Sequence, residues 1–153
     1  MPPGELALTD SIHIVSDDEA TITDWLTRTE PLHRTLRPDV PSDYQAYLRL
    51  MFSEGAKMAV LHASGVPKAL AIYRILHTTF NGRRFYVDDL VTVEHARGRG
   101  YGSTVLRWLE DQARANFCHT FSLDSGVQRA AAHRFYFRQG MSIMAFGFAK
   151  PIR

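Results

Sequence analysis

The hydrophobic positions along this chain change their spacing several times, and each change predicts the border of a structural element. Apolar residues that alternate with polar ones predict a strand, whereas apolar residues three and four positions apart predict a helix. The predicted strands are residues 11–16, 58–62, 68–78, 86–93, 119–123 and 141–148, and the predicted helices are residues 16–28, 42–55, 103–116 and 127–139. The order is therefore strand, helix, helix, three strands, helix, strand, helix, strand, with no internal repeat.

Turn-forming residues refine these borders. Three prolines between residues 30 and 41 disfavour continuous helix, so the first helix is expected to stop before Pro31 and a loop or broken helix to follow. Asn81-Gly82 predicts a tight hairpin between two of the strands. Gly140 predicts the end of the last helix. The first ten residues carry no periodic pattern and predict a loose arm.

Composition narrows the class of protein. A chain of 153 residues with 45% hydrophobic residues predicts one domain, residues 1–153, with its own core. The formal charge of +2 is too small to indicate nucleic-acid binding. The one cysteine excludes an internal disulfide and fits a reducing compartment, and the seven histidines show no metal-ligand spacing. No signal peptide or membrane-length apolar segment is seen, so we expect a cytoplasmic protein without a membrane partner.

A glycine-rich loop follows the predicted strand 86–93 and precedes the predicted helix 103–116. It contains Gly98, Gly100 and Gly102. Arg97 precedes the first of these glycines, and Arg99 lies between the first two. Glycines let the backbone approach a ligand closely, and a helix N-terminus offers unsatisfied N–H groups and partial positive charge. This arrangement predicts a site for a phosphate or pyrophosphate. The Walker A lysine is absent, and the dinucleotide-binding glycine pattern does not fit.

Two motifs resemble those of the GNAT superfamily of N-acetyltransferases. Arg97 to Gly102 has the form Arg-x-x-Gly-x-Gly, which resembles the superfamily's acetyl-CoA signature. Ala132 to Met141 resembles its Ala-x-x-Phe-Tyr-x-x-x-Gly-Phe motif, with Met141 in place of the final phenylalanine. The superfamily often has asparagine where this chain has Arg129, which leaves the corresponding cofactor contact in question.

The resemblance implies a fold and a cosubstrate. The fold would be a single α/β (α+β) domain, with a mixed, mostly antiparallel sheet of six to seven strands flanked by about four helices. The cosubstrate would be acetyl-CoA. Its pantetheine arm would lie along one strand like an added strand, and its pyrophosphate would lie over the glycine loop. The implied cofactor-binding residues are Leu90, Val91, Thr92, Arg97, Gly98, Arg99, Gly100, Tyr101, Gly102, Ser103, Arg129 and His133.

Acetyl transfer to an amine also needs proton transfer. Tyr136 occupies the position where the superfamily usually places the acid that protonates the leaving thiolate, and we favour this role over the alternative of a core tyrosine. Asp88 resembles the position of a base or an amine-binding carboxylate, although an ion pair with an arginine is an equal alternative. Asp88 and Asp89 are neighbours in a strand and are expected to point to opposite faces. For Asp89 we favour a structural ion pair.

The acceptor site is implied to lie around the first two helices, with Arg34, Tyr44, Tyr86 and Asp88 as candidate substrate-binding residues. Arginines together with a carboxylate fit a small molecule that carries both an amine and an acid, such as an amino acid or an aminophosphonate. Two alternatives stay open, namely a protein lysine or N-terminal acetyltransferase and a CoA-binding module without catalysis. An exposed C-terminal edge strand and many aromatic residues make a homodimer a further expectation.

Overall fold

Five strands lie in chain order in one sheet in the computed structural model, which describes residues 10–153. The strands are β1 (Asp10–Ile14), β2 (Lys57–Ala63), β3 (Val66–Thr78), β4 (Gly82–Thr92) and β5 (Thr120–Leu123). The helices are α1 (Ile22–Leu36), α2 (Tyr44–Ser53), α3 (Tyr101–Ala115) and α4 (Ala130–Arg138), with single 3-10 turns at Val15–Asp17 and Glu94–Ala96. Strands β1 to β4 pair antiparallel. The predicted α/β fold with four helices is confirmed, with fewer strands than the six to seven expected.

The chain divides into two compact units. The first reaches to Ser122 and holds β1 to β4, α1 to α3 and most of β5. The second is Leu123–Arg153 and holds α4. The single domain expected from chain length stays a prediction. The predicted N-terminal arm lies outside the described residues, except for Asp10, which is part of β1.

The first unit has an apolar core on each face of its sheet. On one face α1 and α2 cover Met58 and Val60 of β2 and Leu70 and Ile72 of β3, all fully buried. On the other face Tyr73 of β3 stacks on Phe85 of β4 with ring centroids 4.9 Å apart and meets Trp108 of α3 edge to face. β4 therefore runs between two packed layers, which fixes the direction of its side chains.

The first helix continues through Pro31, which contradicts the predicted stop before this residue. α1 extends to Leu36, and the predicted loop or broken helix is limited to residues 37–43. A proline inside a helix costs about 3 kcal/mol because it removes one backbone hydrogen bond and crowds the preceding turn. Burial offsets this cost, because α1 has buried residues both before and after Pro31. This stripe of buried residues consists of Ile22, Trp25, Leu26, Thr29, Leu32 and His33.

Two other predicted borders are wrong. The helix expected from residue 16 begins only at Ile22, because Val15–Asp17 forms a single 3-10 turn first. The strand expected over 141–148 is absent from the described residues, where this segment has neither helix nor strand. Ile143 is its one β-branched residue, and a strand is stable only when a neighbour pairs with its backbone.

Candidate active site

The glycine loop has the geometry that its sequence predicts. Gly98 and Gly100 both have φ of +81°, the left-handed region in which residues with a Cβ are strained. Gly100 is the residue that caps α3, and its carbonyl accepts the hydrogen bond from the Thr104 N–H at 2.9 Å. The N–H groups of the first helical turn therefore point out of the helix end, where the helix dipole adds partial positive charge.

The side chains around this helix end suit an anionic ligand. Gly102 lies within the first turn of α3, so no side chain projects there. Arg97 and Arg99 flank the loop and are exposed. A Cβ added to Gly98 would meet nothing within 4 Å, which shows an open space above the loop. Tyr101 and Ser103, the other predicted residues of this motif, are half-buried in the same helical turn.

The last part of β4 offers a backbone edge beside this loop. β5 has four residues, and its described contacts fall on the first part of β4. The N–H of His119, just before β5, bonds the Arg83 carbonyl at 2.7 Å, and Phe121 stacks on Phe85 with centroids 5.5 Å apart. Leu90, Val91 and Thr92 pair with β3 on their other edge. These three residues thus lie outside the part of β4 that β5 is seen to contact. A ligand that binds like an additional strand would need such a stretch of backbone.

A β-bulge at Asp88 alters the middle of β4. Ile72 of β3 is opposite Asp89, but the next residue, Tyr73, is opposite Val87, so Asp88 is an extra residue in the ladder. The bulge corrects the prediction that the two aspartates face opposite sides of the sheet. Asp88 pairs with Arg74, which lies on the same face of β3 as Ile72 and hence as Asp89.

Asp88 is partly exposed and carries one side-chain contact. The Nε of Arg74 donates to its Oδ2 at 2.9 Å, and the two side chains are 21% and 24% exposed. Within residues 10–153, Oδ1 of Asp88 makes no side-chain hydrogen bond. The backbone carbonyl of Asp88 accepts a bond from Nη2 of Arg37 at 3.3 Å. Arg74 therefore uses only one of the two oxygens of this carboxylate.

Asp89 is the centre of a buried polar cluster. Its Oδ2 lies 2.8 Å from Nε2 of His33, and its Oδ1 accepts from Nε of Arg37 at 2.6 Å. On the other side of His33, Nδ1 lies 2.9 Å from the Tyr44 hydroxyl. His33, Tyr44 and Asp89 are all buried. The cluster ties α1 and α2 to the strand that carries Asp88.

Charge and burial act in opposite directions on Asp89. Burial by itself would raise the pKa of this carboxyl, but the hydrogen bonds from His33 and Arg37 and the Arg37 charge outweigh it, so the pKa is lowered. For Tyr44 burial is the largest effect and raises the pKa, and the nearby Arg34 charge opposes it only in part. Asp89 is therefore a carboxylate at neutral pH, and Tyr44 keeps its proton.

We expect Asp89→Asn to lower the free energy of unfolding by about 2 kcal/mol at pH 7, because a charge-assisted bond is lost. A carboxyl whose native pKa is lowered stabilises the fold above its unfolded pKa, here 3.8, and loses that effect as the pH falls through the native value. Urea unfolding from pH 7 to pH 2 would measure this. The difference between wild type and variant should stay constant to about pH 4 and shrink below it. A difference that does not change with pH would contradict the assignment.

Three predicted substrate-binding residues have contacts within the protein. All three nitrogens of the Arg34 guanidinium are used, by Glu30 Oε1 at 2.8 Å and by the carbonyls of Val40 and Pro41 at 2.8 and 2.9 Å. Tyr44 is 1% exposed. Tyr86 is half-buried, with the Arg84 guanidinium 4.6 Å from its ring centroid. Arg34 thus holds the connection between α1 and α2, and a solute cannot reach Tyr44.

The second unit carries the remaining predicted residues on or beside α4. Arg129 is the residue that precedes the helix, and Nε2 of His133 lies 2.8 Å from the Gly126 carbonyl. Tyr136 is half-buried, and burial raises its pKa although the charge of Arg129 opposes the shift. Gly140 has φ of +83° and follows the end of α4, so the predicted helix end is confirmed.

His33 and Arg37 lie in the region 30–47 that was expected to line the acceptor site, but their shared contact with Asp89 was not predicted. A signal existed, since His33 and Arg37 are four residues apart and so lie on one face of a helix. The expected stop at Pro31 concealed this spacing. The partner of both residues, Asp89, was expected to form a structural ion pair with an arginine.

Comparisons with known proteins agree on one family. The family described as "Acetyltransferase (GNAT) family" matches residues 20–141. An "uncharacterized N-acetyltransferase YhdJ" of Bacillus subtilis (strain 168) is 32% identical over 129 residues, which cover 80% of this chain and 88% of that protein. An aminoalkylphosphonate N-acetyltransferase of Salmonella typhimurium is 35% identical over 66 residues, 43% of each chain.

Solved structures give the same fold. A putative acetyltransferase from Agrobacterium tumefaciens has a TM-score of 0.76 at 26% identity, covering 93% of this chain and 99% of that one. The aminoglycoside N-acetyltransferase AAC(6')-Iy in complex with CoA has a TM-score of 0.77 at 15% identity, covering 94% and 95%. Of the helices in the described part of the chain, none combines the length and apolar character needed to cross a membrane.

Proposed function

This chain belongs to the acetyltransferase (GNAT) family and is an acetyl-CoA-dependent N-acetyltransferase, and we propose that its acceptor is the primary amine of a small molecule that also carries an acid. An amino acid or an aminophosphonate has this composition. The observation that carries the proposal is the position of Asp88. A partly exposed carboxylate lies in β4, two residues before the backbone that would hold the pantetheine arm.

Acetyl-CoA supplies the thioester from which the acetyl group is transferred. The residues of the first unit fit its parts. Arg97, Arg99 and the first-turn N–H groups of α3 would bind the pyrophosphate, since backbone donors and guanidinium groups both favour phosphate oxygens. The edge of Leu90–Thr92 that does not pair with β3 would bind the pantetheine amides. Arg129 and His133, in the second unit, are proposed cofactor contacts because of their places in the second family motif.

Two side chains are proposed to move protons. Asp88 would bind the acceptor ammonium or take its proton through a water molecule, so that the amine nitrogen can attack the thioester carbonyl. When the carbon–sulfur bond breaks, Tyr136 would give its phenolic proton to the departing thiolate. Burial raises the pKa of Tyr136, so the phenol keeps its proton at neutral pH and can act as the acid. Its role otherwise rests on the motif around it.

The acidic part of the acceptor is supported by charge at the site and by one relative. Arg37 pairs with Asp89 and Arg74 pairs with Asp88, so positive and negative side chains lie next to each other at this site. The Salmonella typhimurium relative is an aminoalkylphosphonate N-acetyltransferase by name. A zwitterionic acceptor would satisfy both signs at once.

An acceptor screen tests the proposal. The purified protein would be incubated with acetyl-CoA and a panel of amino acids, aminoalkylphosphonates, polyamines, aminoglycosides and lysine peptides, with thiol release as the readout. We expect turnover with acceptors that carry an acid near a primary amine. Turnover confined to polyamines and aminoglycosides would contradict the acidic acceptor. Turnover confined to peptides would favour a protein acetyltransferase, and binding of acetyl-CoA without any turnover would favour a binding module.

A further inference from the structure

Arg37 has one edge of its guanidinium held by the protein and the other in solvent. Its Nε donates to the buried Asp89, which is 9% exposed, whereas the Arg37 side chain is 51% exposed. Its Nη2 donates to the Asp88 carbonyl at 3.3 Å, and in residues 10–153 Nη1 has no hydrogen-bond partner. A guanidinium has five N–H donors, so donors remain available on the outward edge.

Arg34 on the same helix shows the opposite pattern. Its Nε, Nη1 and Nη2 each donate to an oxygen of the protein, and its side chain is 29% exposed. Its donors are thus used in holding the chain between α1 and α2. Of the two arginines in this part of α1 and its cap, Arg37 is the one that can still bind an oxyanion.

The buried cluster fixes the direction of Arg37. Asp89 cannot turn away, because His33 holds its second oxygen at 2.8 Å, and His33 in turn contacts the Tyr44 hydroxyl at 2.9 Å. Three buried side chains from α1, α2 and β4 therefore position one half-exposed guanidinium. A side chain positioned in advance loses less conformational entropy when it binds a ligand.

We propose that Arg37 is the residue that selects the acceptor by binding its acidic group, with Asp89 as the positioning residue behind it. This inference rests on the proposed acetylation of an acidic small-molecule amine. Asp88 would take the ammonium end of the acceptor, and Arg37, bonded to the backbone of the same residue, would take the anionic end. Carboxylate and phosphonate share the paired oxygens that a guanidinium binds in bidentate geometry.

Matched acceptors test this role. Each assay pairs an acidic amine with a neutral amine of the same chain length, either an amino acid with its amide or an aminoalkylphosphonate with the alkylamine. In wild type the acidic member should have the lower KM. In Arg37→Gln we expect KM for the acidic member to rise about 10- to 100-fold, since a charge-assisted contact is lost, while KM for the neutral member changes little. Arg37→Lys keeps the charge without the fork and should lie between the two.

Arg28→Gln is the matched control, because Arg28 lies on α1, is 44% exposed and pairs with Asp24. If Arg37→Gln behaves like this control, the inference is overturned while the acetyltransferase stands. Equal KM values for acidic and neutral amines in wild type would also overturn it. Wild type that acetylates no small amine would instead overturn the proposed function.

A second measurement avoids dependence on the folding of the glutamine variant. Propylphosphonate, which lacks the amine, should compete with the acidic acceptor in wild type. The same compound should compete about tenfold less well in Arg37→Lys, which keeps the charge but loses the paired hydrogen bonds. Absence of competition in wild type would overturn the inference.

Discussion

Replacing Tyr136 by phenylalanine is expected to lower kcat by about 100- to 10,000-fold, the usual contribution of a positioned general acid. Affinity for acetyl-CoA should stay unchanged, because the ring is kept and only the hydroxyl is removed. Without the phenolic proton, the sulfur of coenzyme A would have to leave as a thiolate anion, which is a poorer leaving group than the neutral thiol. Steady-state kinetics and calorimetric titration with acetyl-CoA would separate the two effects.

Tyr73→Phe is the matched control for this variant. Tyr73 is also a buried tyrosine whose pKa is raised by burial, but it packs between Phe85 and Trp108 in the core. Its loss of a hydroxyl should leave kcat near wild type. Activity of wild type should fall at alkaline pH only above about pH 10, since the acid form of Tyr136 persists up to its raised pKa. Unchanged kcat in Tyr136→Phe would identify it as a core tyrosine.

Gly100→Glu is expected to weaken acetyl-CoA binding by about 100-fold or more. Two effects add in this variant. A residue with a Cβ is strained by about 1–2 kcal/mol at a left-handed position, and Gly100 has φ of +81°. A carboxylate placed at the start of α3 would also repel the pyrophosphate and compete for the same N–H groups. Calorimetric titration measures the change directly.

The chain offers a control glycine that also has a positive φ and allows the same change of charge. Gly55 follows α2, has φ of +96°, and a Cβ there would meet nothing within 4 Å. Gly55→Glu should therefore destabilise the fold to a similar degree while leaving acetyl-CoA affinity unchanged. Thermal unfolding of both variants would show equal strain. Equal loss of affinity in both would mean that strain, and not the phosphate site, explains the effect.

The fold was predictable where the signal is local. The glycine loop, the hairpin strands and three of the four helices follow from spacing and turn residues over short windows. The continuation of α1 through Pro31 was not predicted, because a burial stripe outweighs a local helix breaker only after the sheet is in place. The expected strand over 141–148 failed for a related reason, since a strand depends on a partner that a short window does not contain.

The candidate site also has one part that was predictable from the sequence and one part that was not. The phosphate-binding motif is continuous in sequence and was recognisable from its residues. The contacts around Asp89 join positions 52 and 56 residues apart. They depend on the bulge in β4, which leaves no mark in the pattern of polar and apolar residues. A search for helical spacing across Pro31 would have shown His33 and Arg37 on one face, but not the carboxylate that they share.

The bulge in β4 also makes the length of this strand a constraint in its own right. Upstream of Asp88, Phe85 and Val87 face α3, whereas downstream Asp89 and Val91 face α1 and α2. Loss of Leu90, for example, would remove the bulge, place Asp89 opposite Ala71 and turn its carboxylate into the apolar layer beneath α3. Its partners would then lie on the far side of the sheet. We therefore expect β4 to tolerate substitutions far more readily than an insertion or deletion, which changes the face of the sheet to which the following side chains point.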